Sequence, residues 1–246
     1  MFIANWKMNG SEAMINDWLM GVALKLDKSL QSKCIFCPPV CYLSSAHDLI
    51  KKENLNISLG AQDIDPNAFS SLTGGINASM LAELGSEYVI IGHSERREAF
   101  REDEPLLLQK INSASEGGLI VIFCIGESLI EKEQHKTLEV LTRQLEVINK
   151  SDINQFMIAY EPIWAIGSGK TPKLKDITNI HKIIIDQVKS YSKAGFLGIS
   201  YGGSIDSLNS SKIISLGEVN GLLIGGSSLK YKEFSKIVLN QAKIQE

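Results

Sequence analysis

The chain has no apolar run approaching the roughly 18–20 residues that a bilayer-crossing helix needs. It opens without a charged segment ahead of an apolar one, so no secretory leader is expected. It has no basic block, and its formal net charge is −3, which argues against nucleic acid as a main partner. Cysteine is scarce. Four in 246 residues do not make a disulfide scaffold, so a reduced, cytoplasmic, soluble protein is expected. Three of the four do cluster, at Cys34, Cys37 and Cys41, and invite a metal reading. The first two sit in an apolar run, Pro38-Pro39 follows, and no fourth ligand stands nearby. Free thiols acting as small hydrophobes are therefore expected, and no metal. Low-complexity tracts and internal linkers are also missing, so residues 1–246 read as one domain.

What is present is ordinary globular material, 44% hydrophobic and 22% charged. A chain of this length should bury about 70–75% of the surface it exposes unfolded, enough for a core without staples. Short apolar runs alternate with amphipathic ones. Strands are predicted at 2–6, 34–37, 57–61, 88–91, 119–125, 156–160, 198–201 and 222–224. Helices are predicted at 12–28, 44–52, 77–84, 104–116, 132–149, 177–191, 209–215 and 230–243. The strand runs are continuously apolar rather than alternating, as parallel strands buried on both faces require. Eight strand–helix units over 246 residues predict an α/β fold, a closed (β/α)8 barrel. An open doubly wound sheet would carry a glycine fingerprint after its first strand. Lys7-Met8-Asn9-Gly10 stands there instead.

Such barrels carry function at the C-terminal strand ends and the loops that follow. That rule turns the strand list into a site list. The first strand delivers Asn5 and Lys7, the fourth His93, Ser94 and Glu95, and the fifth Cys124 and Glu127. The sixth ends on Glu161, which Pro162 keeps out of the helical region. The segment 163–170 is mostly apolar and ends with two glycines, Gly167 and Gly169, as a hinged cover beside an acid would. The seventh and eighth strands each run into Gly-Gly-Ser, at 202–204 and 225–227. Paired glycines let backbone N–H groups approach an anion, and these two loops are where such barrels commonly hold phosphate. Gly167-Ser168-Gly169-Lys170-Thr171 imitates a P-loop, but the first glycine of that motif is replaced by Trp164. His93 lies between a strand end and a helix start, where an imidazolium is disfavoured and a neutral donor is expected. His47, His135 and His181 fall inside predicted helices and read as structural. Glu95, Arg96 and Arg97 read as an ion-pair cluster fixing the loop. A carboxylate base, a neutral imidazole, a lysine and a phosphate cradle suit proton abstraction next to a carbonyl in a small phosphorylated substrate.

The same residues resemble the triosephosphate isomerase family along essentially the whole chain. The resemblance rests on Asn5-Trp6-Lys7-Met8-Asn9-Gly10, Ile91-Gly92-His93-Ser94-Glu95-Arg96-Arg97, Cys124-Ile125-Gly126-Glu127, the run 159–170, Tyr201-Gly202-Gly203-Ser204 and Gly225-Gly226-Ser227-Ser228-Leu229. It implies interconversion of dihydroxyacetone phosphate and D-glyceraldehyde 3-phosphate through an enediolate, in glycolysis and gluconeogenesis, without cofactor or metal. It implies Glu161 as base and His93 as neutral electrophile, with Lys7 and Asn5 stabilising the enediolate. Asn5, Lys7, Gly167, Ser204, Gly225 and Gly226 would bind substrate. Ser94 would hold Glu161 when the cover is open, Glu95 would fix Lys7, and Cys124 would support the site. Burial under Ile166 and Leu223 is expected to raise the Glu161 pKa and strengthen the base.

The resemblance also implies a homodimer through the loop around Thr73. There Gly75 stands where the family usually carries glutamate, and Asn77 where serine is frequent. Ala4 replaces a common glycine, and Thr171-Pro172-Lys173-Leu174 lacks the usual Thr-Pro helix start two residues further on. The competing chemistry is a sugar-phosphate aldolase using Lys7 as a Schiff base, which would leave Glu161 without a task. A barrel that only binds a partner needs none of Lys7, His93 and Glu161.

Overall fold

In the computed structural model, residues 1–67, 71–191, 193 and 195–242 are described. Ser70, at the start of the third loop, and Lys243, at the predicted end of the last helix, lie outside them. The strands are β1 (Phe2–Asn5), β2 (Cys34–Cys37), β3 (Ser58–Ala61), β4 (Ser86–Ile91), β5 (Ile120–Ile125), β6 (Phe156–Tyr160), β7 (Phe196–Tyr201) and β8 (Gly221–Ile224). They form a closed parallel barrel in sequence order, and β8 returns to β1 in the register Phe2↔Leu222. Helices ring the outside. Among the described residues no helix is long and apolar enough to cross a membrane.

The continuous apolar runs are explained by two separate cores. Alternate residues point inward and outward along a strand. Ile3, Ile35, Ile90, Ile122, Met157 and Leu223 fill the barrel interior. Phe2, Phe36, Phe123, Phe156 and Leu222 face the helices in the larger outer layer. The cysteines of β2 divide between the two, Cys34 outward and Cys37 inward, both buried, while Cys41 is exposed. Burial accordingly raises the thiol of Cys34 to about 12, leaving it protonated at neutral pH.

The outer layer also braces the site face. Trp6 and Trp18 are fully buried against Phe36, and both indole N–H groups donate to the Ser228 carbonyl, at 3.3 and 2.7 Å. The loop after β8 is thereby tied to the first strand–helix unit.

Two helices differ from expectation. The 12–28 helix ends at Lys25, and a second short helix, Lys28–Gln31, begins under the cap Asp27. The 132–149 helix is two helices, Leu129–Glu133 and Thr137–Lys150. Ser128 and Glu131 form a capping box that starts the first one early. His135 then adopts φ +57, which no continuous helix allows, so it sits in a reversal and not within a helix. His47 and His181 do lie in helices, Leu43–Lys52 and Leu174–Ser190.

Candidate active site

Every substrate-contacting residue expected from the sequence reaches one cavity. It has a volume of about 310 Å³ and is lined by Asn5, Lys7, His93, Glu161, Gly167, Ser204, Gly225 and Gly226, with Ile166 and Leu223 as apolar wall. These residues come from the ends of β1, β4, β6, β7 and β8 and the loops that follow, which is why the set is scattered in sequence.

Glu161 follows the last residue of β6, and its backbone N–H donates to the Ile125 carbonyl at 2.7 Å. Gly126 makes this approach possible, since a Cβ there would fall 1.7 Å from the Glu161 carbonyl oxygen. The carboxylate is 2% exposed. One oxygen lies 3.1 Å from His93 Nε2, and the other accepts a long hydrogen bond from the Ser94 backbone N–H at 3.4 Å. The Cys124 thiol beside it also favours the charged carboxylate. Burial pushes Glu161 up, but the imidazole, the Ser94 amide and the thiol outweigh it and hold the carboxyl below its ordinary range. The expectation of a raised Glu161 pKa is therefore corrected for this arrangement, because desolvation acts together with three donors.

His93 caps the helix Ser94–Ala99, and its Nδ1 accepts the Glu95 backbone N–H at 3.2 Å. A nitrogen that accepts a donor carries no proton, so the neutral tautomer with hydrogen on Nε2 fits this geometry. Burial disfavours the imidazolium, but the Glu161 charge outweighs burial and raises the His93 pKa above its ordinary value.

Lys7 adopts φ +52. Two bonds hold this uncommon backbone, from its N–H to Asn5 Oδ1 at 3.1 Å and from Gln62 to its carbonyl at 3.0 Å; the same Gln62 amide also donates to the Cys37 carbonyl at 2.9 Å. Its ammonium pairs with Glu95. That pairing holds the side chain in place against the Glu95 carboxylate. Gln62 escaped sequence reasoning because its partners are backbone carbonyls of other strands.

The expected cluster at 95–97 disperses. Glu95 takes Lys7, while Arg96 pairs with Asp63 and Glu102. Lys110, 2% exposed, pairs with the same two carboxylates at 2.8 and 2.7 Å. Arg97 bonds backbone carbonyls at Gly92 and Cys124.

The cover begins with a 3-10 turn, Ile163–Ala165, and Gly167 and Gly169 take φ +62 and +71, backbone states that glycine adopts freely. Its tip is docked: the Gly169 N–H donates to Ser204 Oγ at 3.2 Å, and that hydroxyl donates to the Ala165 carbonyl at 2.6 Å. Its root is held by Glu127, which accepts from the Trp164 indole at 2.8 Å and the Tyr160 hydroxyl at 3.1 Å. Burial raises the Glu127 pKa. Glu127 thus serves the root of the cover and does not line the cavity. Beyond the cover, helix Leu174–Ser190 starts at Lys173 with no side-chain cap, the local result of the missing Thr-Pro start. In the loop around Thr73, Asn77 caps helix Ala78–Glu83 by accepting the Met80 N–H at 3.0 Å, as a serine would.

The sequence model of the family described as triosephosphate isomerase matches residues 1–241. The triosephosphate isomerase of Photorhabdus laumondii is 38% identical over 97% of this chain and 95% of its own. That of Haemophilus influenzae is 37% identical with the same coverage of each chain. The crystal structure of triosephosphate isomerase from Bartonella henselae superposes with a TM-score of 0.87 at 34% identity, covering 98% of both chains.

Proposed function

We infer the roles of the site residues from one premise: the chain belongs to the triosephosphate isomerase family. The reaction is the interconversion of dihydroxyacetone phosphate and D-glyceraldehyde 3-phosphate. The observation that carries the assignment of roles is the 3.1 Å pairing of buried Glu161 with His93 beside Lys7, inside a cavity closed by Gly167 and the two Gly-Gly-Ser loops.

Glu161 takes the proton from the carbon next to the carbonyl. His93 donates its Nε2–H to the substrate oxygen, and Lys7 and Asn5 stabilise the enediolate charge. Glu95 keeps Lys7 in place. When a substrate oxygen claims the Nε2–H, Glu161 loses its main counterweight. Burial then dominates, its pKa climbs, and it becomes a stronger base as the substrate arrives. General-base help of this kind is worth about 10²–10⁴ in rate, and one well-aimed oxyanion donor about 3–4 kcal/mol. Ser204, Gly225, Gly226 and the cover at Gly167 hold the phosphate, and the docked cover keeps water from the enediolate. Ser94 steadies the resting Glu161 and Cys124 supports it through the thiol.

The single (β/α)8 domain over residues 1–246, the cytoplasmic location and the homodimer through the loop around Thr73 belong to the same proposal. The dimer is supported by large exposed apolar groups near that loop, Met8 at 97% and Leu72 at 52% exposed. Nothing favours the Schiff-base aldolase.

Turnover of glyceraldehyde 3-phosphate to dihydroxyacetone phosphate is the direct test, and folded protein no faster than buffer would overturn the reading. Glu161→Gln should lower kcat by about 10²–10⁴ while inorganic phosphate binds within a few-fold of the unsubstituted protein. Equal loss of both would remove Glu161 from the role of base.

A further inference from the structure

Arg97 is half-hidden behind the site and has no task in the chemistry above. Its side chain is 15% exposed, and its nearest carboxylate oxygen, on Glu104, is 3.8 Å away. Its two shorter contacts are both backbone carbonyls. Nε donates to Gly92 at 2.8 Å, and one terminal nitrogen donates to Cys124 at 3.2 Å.

The place of these carbonyls matters. Strands β4 and β5 pair residue by residue up to Ile91↔Phe123, where the ladder stops. Gly92, just past the end of β4, and Cys124, on β5, are the next residues along. The guanidinium therefore continues the ladder by one step, using its planar fork in place of backbone groups. His93 comes immediately after Gly92. Ile125, immediately after Cys124, accepts the backbone N–H of Glu161 at 2.7 Å. The backbone chain runs Gly92, Arg97, Cys124, Ile125, Glu161, and it connects the imidazole to the carboxylate. Arg97 also sits on the short helix that His93 caps, and its own N–H donates to the His93 carbonyl at 3.2 Å. The guanidinium is thus closed into a small loop with His93.

We propose that Arg97 is a positioning residue for the isomerase reaction, the brace that sets the spacing between His93 and Glu161 where the β4–β5 ladder ends. The proposal rests on the isomerase reading. Lysine keeps the charge at this position and cannot bond both carbonyls with a planar fork, so it separates bracing from charge. Arg97→Lys and Arg97→Ala should each lower kcat by about 10–100-fold, with KM within about threefold, because the reacting groups are misplaced while the phosphate cradle is intact. Added guanidinium, kept below unfolding concentrations, should restore at least a tenfold part of the Arg97→Ala loss (about 1.4 kcal/mol). The imidazole ¹⁵N resonances of His93 should shift in Arg97→Lys.

A kcat for Arg97→Lys close to that of the unsubstituted protein overturns the proposal. So does a joint change of kcat and KM that tracks a fallen Tm and ignores guanidinium. If Arg97→Ala does not fold, Arg97→Lys alone decides. The unsubstituted protein is assayed in parallel. Its failure to turn over would sink the isomerase reading, and the His93 resonances would still decide the brace, a shift supporting it and an unchanged spectrum overturning it.

Discussion

At the scale of single residues, His181 shows how burial alone makes a side chain pH-sensitive. It is fully buried, and its Nδ1–H donates to the Glu218 carbonyl at 3.2 Å, which leaves Nε2 without a partner. Burial lowers its pKa from 6.5 to about 4. Between those values the unfolded chain carries a proton at this site and the folded chain does not. The unfolded state then binds more protons, so stability rises with pH across that window and is complete above it. Acidification from pH 7 to pH 5 should remove about 2 kcal/mol of unfolding free energy through this residue. Urea titrations at the two pH values should show that difference between the unsubstituted protein and His181→Gln. Equal pH slopes for the two would assign the acid sensitivity elsewhere. Glu161 is shifted in the same direction, by its donors rather than by burial: its lowered pKa adds stability that is likewise lost as pH falls through the folded value.

At the scale of elements, the cover at 163–170 is held at both ends by single side chains, Glu127 at the root and Ser204 at the tip. Ser204 Oγ makes two bonds there, to the Ala165 carbonyl and from the Gly169 N–H. Each neutral hydrogen bond contributes about 0.5–1.5 kcal/mol net. Ser204→Ala should therefore weaken inorganic phosphate binding about tenfold and raise KM, with kcat falling less than KM rises. Calorimetric titration with phosphate measures the first effect and steady-state kinetics the second. An unchanged phosphate affinity would mean that the docked tip contributes nothing to ligand binding. The far end of the cover is held more loosely, with Asn209 reaching Thr171 Oγ1 only at 3.5 Å and no side-chain cap at Lys173.

For the whole molecule, the question is what covers the face around Thr73. Met8, Gly74 and Arg96 line one groove there of about 350 Å³, and exposed Phe100 lies under the Arg96 guanidinium. A second copy of this chain is the proposed occupant. Thr73→Arg should move the protein toward monomer in sedimentation across concentration, and activity should fall in step because Lys7 lies on the same groove. A fully active monomer would separate catalysis from assembly.

Much of this architecture was legible in the residue order. Eight continuously apolar runs separated by amphipathic ones specify parallel strands buried on two faces, and the missing glycine fingerprint after the first of them favours a closed barrel over an open sheet. The strand-end rule then located Lys7, His93 and Glu161 without coordinates, because local order decides which residue follows a strand. The break at His135 was less legible, since helical spacing continues across it and only the capping box at Ser128 marks the earlier start. What the tertiary structure alone decided concerns groups remote in sequence. Gln62 on the Lys7 carbonyl, Arg97 across the ends of β4 and β5, and Glu127 under Trp164 use partners that periodicity cannot reveal. The sign of the Glu161 pKa shift belongs with them: burial was foreseeable from the strand, but the balance of burial against the His93, Ser94 and Cys124 donors depends on distances that exist only once the barrel has closed.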